Sequence, residues 1–208
     1  MEDNIVNFKG IKFHNNDFAS LFSVIKEGGY LVAPAASALT SISDDRKYHD
    51  ALIQSDIAIL DSGFFCVLLR IFKGKKVSKY SGYLFLKNFL NLDFDKETRF
   101  LSIDPNQEES KANTSYLSCK NIKNLKNYVA PQYINEDISD NNLLEEINRF
   151  QPRYIIINLS GGIQELLALY IKKIWFFSST IVERFIINCN YKRALARITK
   201  TSYNSSVI

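Results

Sequence analysis

Short apolar, β-branched runs alternate along this chain with longer stretches in which apolar residues recur at helical spacing. The runs Tyr30 to Val32, Asp56 to Leu60, Phe100 to Ile103 and Tyr154 to Leu159 predict strands buried on both faces. Helices are predicted over Asp44 to Gln54, Phe64 to Phe72, Leu84 to Leu92, Glu108 to Cys119, Asn141 to Phe150 and Gln164 to Phe177. Asp44 and Asp140 stand where N-caps are wanted. Strand and helix in alternation specify an α/β fold, a Rossmann-like and mostly parallel sheet flanked by helices. The polar stretches Leu92 to Thr98 and Lys120 to Lys126 read as loops or short edge elements, and neither is rich enough in Pro, Gly or Ser to mark a domain boundary.

Composition narrows the class. With 208 residues, 46% hydrophobic and 23% charged, the chain can bury a sizeable core. Asp61 and Arg70 interrupt its most apolar stretch, so no transmembrane helix is expected, and the acidic start Met-Glu-Asp-Asn does not read as a signal peptide. A cytoplasmic location follows as the expectation. Cys66, Cys119 and Cys189 are odd in number and widely spaced, which fits buried small hydrophobes better than disulfides or zinc. With only His14 and His49 besides, no metal site and no cofactor are expected.

The net charge of +4 is unevenly spread. Beyond Glu165 stand Lys172, Lys173, Arg184, Lys192, Arg193, Arg197 and Lys200 against the single acid Glu183, interleaved with Trp175, Phe176, Phe177, Phe185 and Tyr191. Residues 1–174 therefore read as the α/β domain and 175–208 as a divergent, basic, aromatic and helical tail. A tail of this kind suits an anionic membrane surface, or equally a last helix with a solvated basic rim. Its charge is too slight to make a nucleic acid the expected partner.

Ligands of open α/β sheets bind beyond the carboxyl ends of the strands. Three strand ends are chemically interesting: Ala33-Pro34-Ala35, Asp61-Ser62-Gly63, and Ser160-Gly161-Gly162-Ile163-Gln164-Glu165. A fourth turn, Ser81-Gly82-Tyr83, precedes a helix. Asp61 follows an apolar strand and precedes an apolar helix, which would partly desolvate its carboxylate and suit it to act as a general base. The alternative is an aspartate that caps the helix beginning near Phe64. Gly161 and Gly162 lead into a helix whose N-terminal amides could cradle a diphosphate, or they only permit a tight turn.

In order, these segments resemble the WecG/TagA/CpsF family, glycosyltransferase family 26, from about Phe8 to Lys173. Gly29-Tyr-Leu-Val-Ala-Pro-Ala35 resembles the family's strand ending in a Thr-Pro-Asn type motif, with Ala33 and Ala35 replacing the polar residues. Ser55-Asp-Ile-Ala-Ile-Leu-Asp-Ser-Gly63 resembles its strand ending in Asp-Gly, followed by an apolar helix, a Lys-rich turn and Tyr80-Ser-Gly-Tyr-Leu84. Ala130-Pro-Gln-Tyr133 with Ser139-Asp-Asn-Asn-Leu-Leu144 resembles the stretch before its penultimate motif. Ile156-Ile-Asn-Leu-Ser-Gly-Gly-Ile-Gln-Glu165 resembles its Gly-x-x-x-Gln-Glu strand end. The further strand that family members carry after this helix is not discernible, and the pattern departs from about Trp175.

The resemblance implies inverting, metal-independent transfer from a UDP-sugar to a polyprenyl-diphosphate-linked acceptor, in common antigen, capsule or teichoic acid synthesis, by a peripheral protein of the inner membrane face. It makes Asp61 the catalytic base. Ala33, Ala35, Ser81, Gly82, Tyr133, Gly161, Gly162, Gln164 and Glu165 become the substrate-binding set, with Gln164 and Tyr133 on the nucleotide-sugar and Glu165 supporting the turn. Trp175, Arg184, Arg193 and Arg197 fall to the membrane or acceptor side. An oligomer is compatible with the sequence. The competing expectation is a non-catalytic member that binds partners in a polysaccharide assembly complex.

Overall fold

A computed structural model describes residues 4–40, 42–74, 77–133, 138–175 and 185–188. The chain opens with a hairpin, β1 (Ile5–Phe8) and β2 (Ile11–His14), turned by Lys9 and Gly10, both at positive φ. Then follow α1 (Phe18–Lys26), β3 (Gly29–Val32), α2 (Ala36–Thr40), α3 (Arg46–Ile53), β4 (Ile57–Ile59), α4 (Gly63–Lys73) and α5 (Gly82–Leu90). The second half runs β5 (Arg99–Asp104), α6 (Gln107–Cys119), β6 (Asn124–Val129), α7 (Asn141–Phe150), β7 (Tyr154–Ile157), α8 (Ile163–Trp175) and β8 (Phe185–Asn188). Among the described residues eight strands form one sheet in the order β1-β2-β4-β3-β8-β7-β5-β6, with only the β1–β2 pair antiparallel.

Strands buried on both faces need helices on both faces, and two apolar clusters show that they have them. On one side Tyr48 and Leu52 of α3, Phe65 and Leu69 of α4, Leu143 and Ile147 of α7 and Leu167 and Ile171 of α8 cover Tyr30, Val32, Ile103 and Ile155. On the other, Leu21 of α1, Phe85 and Phe89 of α5 and Leu117 of α6 cover Leu31, Ile59, Phe100 and Ile156. The second face is dominated by aromatics, with Phe89 at 5.0 Å from Tyr154 and 5.1 Å from Phe94, centroid to centroid.

Two expectations about the chain's end change. A strand does follow α8: β8 lies in the middle of the sheet between β3 and β7, with Ile186 and Ile187 fully buried. The expectation of a helical tail over 175–208 is corrected in that Phe185–Asn188 is a strand of the sheet. The four-residue run Phe-Ile-Ile-Asn was hidden among basic neighbours, and its position between two other strands, rather than its length, makes it a core element. Arg184, Arg193 and Arg197 lie outside the described residues, whereas Trp175 closes α8. Among the described residues no helix is long and apolar enough to cross a membrane. Cys66 is buried as expected, but Cys119, at the end of α6, is exposed.

The opposite, amino-terminal edge of the sheet is closed by a clamp. The Asp56 carboxylate accepts from the Tyr30 N–H at 2.8 Å and from Lys172 of α8 at 2.8 and 2.9 Å. A Cβ on Gly29 would lie 2.3 Å from that carboxylate, and its φ of +117° independently favours glycine.

Candidate active site at the carboxyl edge of the sheet

Because β2 to β8 run parallel, the ends of β4, β3, β7 and β5 all open on one edge of the sheet. Asp61, Ala33, Ala35, Ser81, Gly82 and the 160–165 turn are thus brought to the same edge. Asp61 follows β4, and Gly161 and Gly162 follow β7 three strand positions away, a separation of about 14 Å at the usual strand spacing.

Asp61 is not the cap of α4. That position belongs to Ser62, whose Oγ accepts from the Phe65 N–H at 3.2 Å. The half-buried Asp61 carboxylate instead receives the Gly82 N–H on Oδ1 at 3.3 Å, at the first residue of α5. A positive helix terminus is thereby set against a carboxylate from the next strand end, which orients it. Ser81 caps α5, its Oγ accepting from Leu84 N–H at 3.1 Å, so its hydroxyl oxygen is engaged locally.

Beside this strand end lies a cavity of about 400 Å³ that sequence reasoning did not single out. Asn15, Asn16, Asp17 and Phe18 wall it from the stretch after β2, Ser78, Lys79 and Tyr80 from the approach to α5, and Asn88 from α5 itself. Tyr80 N–H donates to the carbonyl of Leu60, the residue before Asp61, at 3.0 Å, and Asn88 Nδ2 donates to Tyr80 Oη at 3.1 Å. Asn16 Oδ1 is buried without a partner. Carboxamides, a lysine and two aromatic rings around one space suit a polyhydroxylated ligand. The signal was diluted in the sequence because the wall comes from a hairpin end and a connecting loop over sixty positions apart.

At the β7 end, Gly162 has φ +92°, and no atom lies within 4 Å of where a Cβ would stand on Gly161 or Gly162. The turn is open above its glycines. Its amides are not all available, however: Gly162 N–H donates to Glu165 Oε2 at 2.7 Å, the carboxylate half of a capping box at the start of α8. The expectation that Gly162 offers its N–H to a diphosphate is corrected accordingly. Glu165 is 1% exposed, and burial pushes its carboxyl group up, against the hydrogen bonds from Gln164 and Gly162. Gln164 is also buried; its Nε2 donates to Glu165 Oε1 at 3.1 Å while its Oε1 has no partner.

Ala33 and Ala35 sit at the end of β3, next to β4, and bring no polar side chain to the edge. Ala35 immediately precedes α2, its carbonyl accepting from Ala38 and Leu39. Tyr133 lies beyond β6, at the far end of the sheet from Asp61, and its hydroxyl donates to Asp140 at 2.8 Å. Burial and Asp140 push the Tyr133 hydroxyl up. Asp140 caps α7 as its sequence position suggested, and it also accepts from Tyr128. For α3 the cap is Asp45 rather than Asp44.

A second polar cluster went unnoticed in the sequence. Asp104, fully buried at the end of β5, accepts on Oδ1 from Ser102 Oγ (2.9 Å), Asn113 Nδ2 (2.6 Å) and Asn158 Nδ2 (2.9 Å), and on Oδ2 from Asn127 Nδ2 (2.9 Å). It ties the ends of β5, β6 and β7 to α6. Among the described residues no group of three or more His, Cys, Asp or Glu side chains is placed to hold a metal ion.

No curated protein matches the chain. The sequence model of the Glycosyl transferase WecG/TagA/CpsF family matches residues 6–178, a span that holds the hairpin from its second residue on, Asp61, the cavity wall and the Gly161–Glu165 turn. This chain belongs to the WecG/TagA/CpsF family of glycosyltransferases.

Proposed function

We propose that the protein transfers a sugar from a UDP-sugar to a hydroxyl group of a polyprenyl-diphosphate-linked acceptor, with inversion and without a metal, at the inner face of the cell membrane. The product feeds a cell-surface polysaccharide or teichoic acid. One observation carries the reading: a carboxylate at a strand end, released from helix capping by Ser62 and oriented by Gly82 N–H, follows directly on Leu60, whose carbonyl holds the Tyr80 wall of an amide- and aromatic-lined cavity. In the reaction Asp61 takes the proton of the acceptor hydroxyl as its oxygen attacks the anomeric carbon. The bond from that carbon to the diphosphate breaks, and its electron pair leaves with UDP.

The leaving diphosphate needs positive potential, which the N-terminus of α8 supplies through the open turn at Gly161. Gln164 Oε1, a buried acceptor without a donor, fits a hydroxyl or N–H of the nucleotide-sugar. With its proton donated to Asp140, the Tyr133 hydroxyl could only accept from a ligand, and its ring remains to pack against one. The basic tail beyond β8, with Arg193 and Arg197, would serve the membrane side. Titration with UDP-sugars tests the reading: thermal stabilisation should appear and be unaffected by EDTA.

A non-catalytic role in an assembly complex is favoured by Ala33 and Ala35, which leave the strand end beside Asp61 without polar side chains. Absence of UDP-sugar binding at millimolar ligand decides for it.

A further inference from the structure

Helix α4 is apolar on two faces. Phe65, Cys66 and Leu69 are buried, with the Phe65 ring 4.9 Å from that of Phe8 and 5.6 Å from that of Phe13. Opposite them Phe64, Val67 and Ile71, at helical spacing, are 68%, 47% and 69% exposed, and Phe72 beside them is 79% exposed. A helix on the outside of a sheet needs a single apolar face, so this second stripe is not explained by the core.

The charged residues of α4 are all basic. Arg70 donates from Nε and Nη2 to the Val77 carbonyl, and Lys73 donates to the Asn7 carbonyl at 3.3 Å; among the described residues neither meets a carboxylate. Exposed Phe and Ile with Arg70 at their flank and Lys73 at the helix end, its Nζ 5.8 Å over the Phe8 ring, make an amphipathic surface for an anionic lipid headgroup region. A second copy of the chain fits less well. A two-fold contact through this stripe would bring together two helices whose charged residues are all basic, with no acid on either, and four side chains fall short of the roughly 800 Å² per partner of a stable interface.

We infer that the exposed face of α4 is a bilayer-docking surface that seats the protein on anionic membranes. Phe64 is three residues from Asp61, so a bilayer against α4 lies beside the base. The inference deepens the reading above, because a lipid-carried acceptor must be reached from a bilayer. Its test measures binding and not turnover, so either can fail without the other.

The full-length chain is sedimented with phosphatidylglycerol and with phosphatidylcholine vesicles, alongside F64S/I71S/F72S and K73E. Circular dichroism and gel filtration check fold and oligomeric state. The wild type should bind phosphatidylglycerol vesicles preferentially, the triple variant at least tenfold less, and K73E less with a shallower salt dependence. Equal binding by wild type and triple variant would overturn the inference, and so would loss of binding only on removal of residues 189–208. A wild-type dimer that the triple variant converts to monomer with unchanged vesicle binding would assign the stripe to a second copy instead.

Discussion

Replacement of Asp104 probes how the carboxyl edge is held in register. Asp104→Ala removes the acceptor from four donors, but not all are orphaned, since Asn158 Nδ2 keeps Ser102 Oγ at 3.0 Å. Ser102 Oγ and Asn113 Nδ2, both buried, lose their acceptor, and so does the half-buried Asn127 Nδ2. At about 1–3 kcal/mol for each buried unsatisfied group, the loss is about 2–6 kcal/mol. Asp104→Asn should be milder. Its remaining oxygen can face the three donors, and its new amide can be met if Asn127 flips. A flip is feasible because Thr114 Oγ1, now 3.0 Å from Asn127 Oδ1, can accept from Nδ2 and donate its own proton to the Ser110 carbonyl at 2.8 Å. The expected loss is about 1–2 kcal/mol. In a Thr114→Val background that escape is closed, and Asp104→Asn should lose about 1–3 kcal/mol more than in the wild type. Urea denaturation of the four chains in the cycle reads this as midpoint shifts at constant slope. Additive effects within about 0.5 kcal/mol, or an Asp104→Ala loss under about 1 kcal/mol, would refute the reasoning.

Other outcomes follow from the same geometry. Gly29→Ala should lower stability by about 2–4 kcal/mol, through strain at positive φ and displacement of Asp56 from Tyr30 and Lys172; a loss under 1 kcal/mol, read by thermal denaturation, would contradict the clamp. Because burial raises the Glu165 carboxyl above its ordinary value of 4.5, its contribution is fully present below that pH and is lost as pH rises. The stability deficit of Glu165→Gln relative to wild type should therefore shrink between pH 5 and pH 8, and a deficit that grows would reverse the sign. Tyr133→Phe should destabilise by about 1–2 kcal/mol through loss of the bond to Asp140, with UDP-sugar affinity unchanged; a weakened affinity would place the hydroxyl on the ligand instead.

The alternation of apolar runs with helical periodicity revealed the parallel core, since Ile57–Ile59 and Tyr154–Ile157 are buried on both faces and show it as continuous aliphatic runs. The hairpin was not legible: both strands are only four residues long, and Ile5–Phe8 breaks the alternation because Ile5 faces outward with Asn7, leaving only Ile11–His14 to alternate. The edge strand β6, Asn-Leu-Lys-Asn-Tyr-Val, is only partly buried and reads as polar chain. Asp61 could be located from its place after an apolar strand, but not its freedom from capping, because Asp61 and Ser62 are both good caps and local sequence cannot choose between them. The engagement of Gly162 by Glu165 follows a three-residue capping spacing that was present in the sequence, whereas Asp104 gathers its partners from four separate elements and carries no local signature.

The central claim is that the Asp61 carboxylate accepts the proton of the attacking hydroxyl. Asp61→Asn keeps the shape and an oxygen to receive Gly82 N–H, so its melting temperature should match the wild type. Sugar transfer from a UDP-sugar to a polyprenyl-diphosphate acceptor should fall about 10²-fold or more, while UDP-sugar binding persists. Turnover equal to the wild type in that folded, ligand-binding variant would show that another group takes the proton.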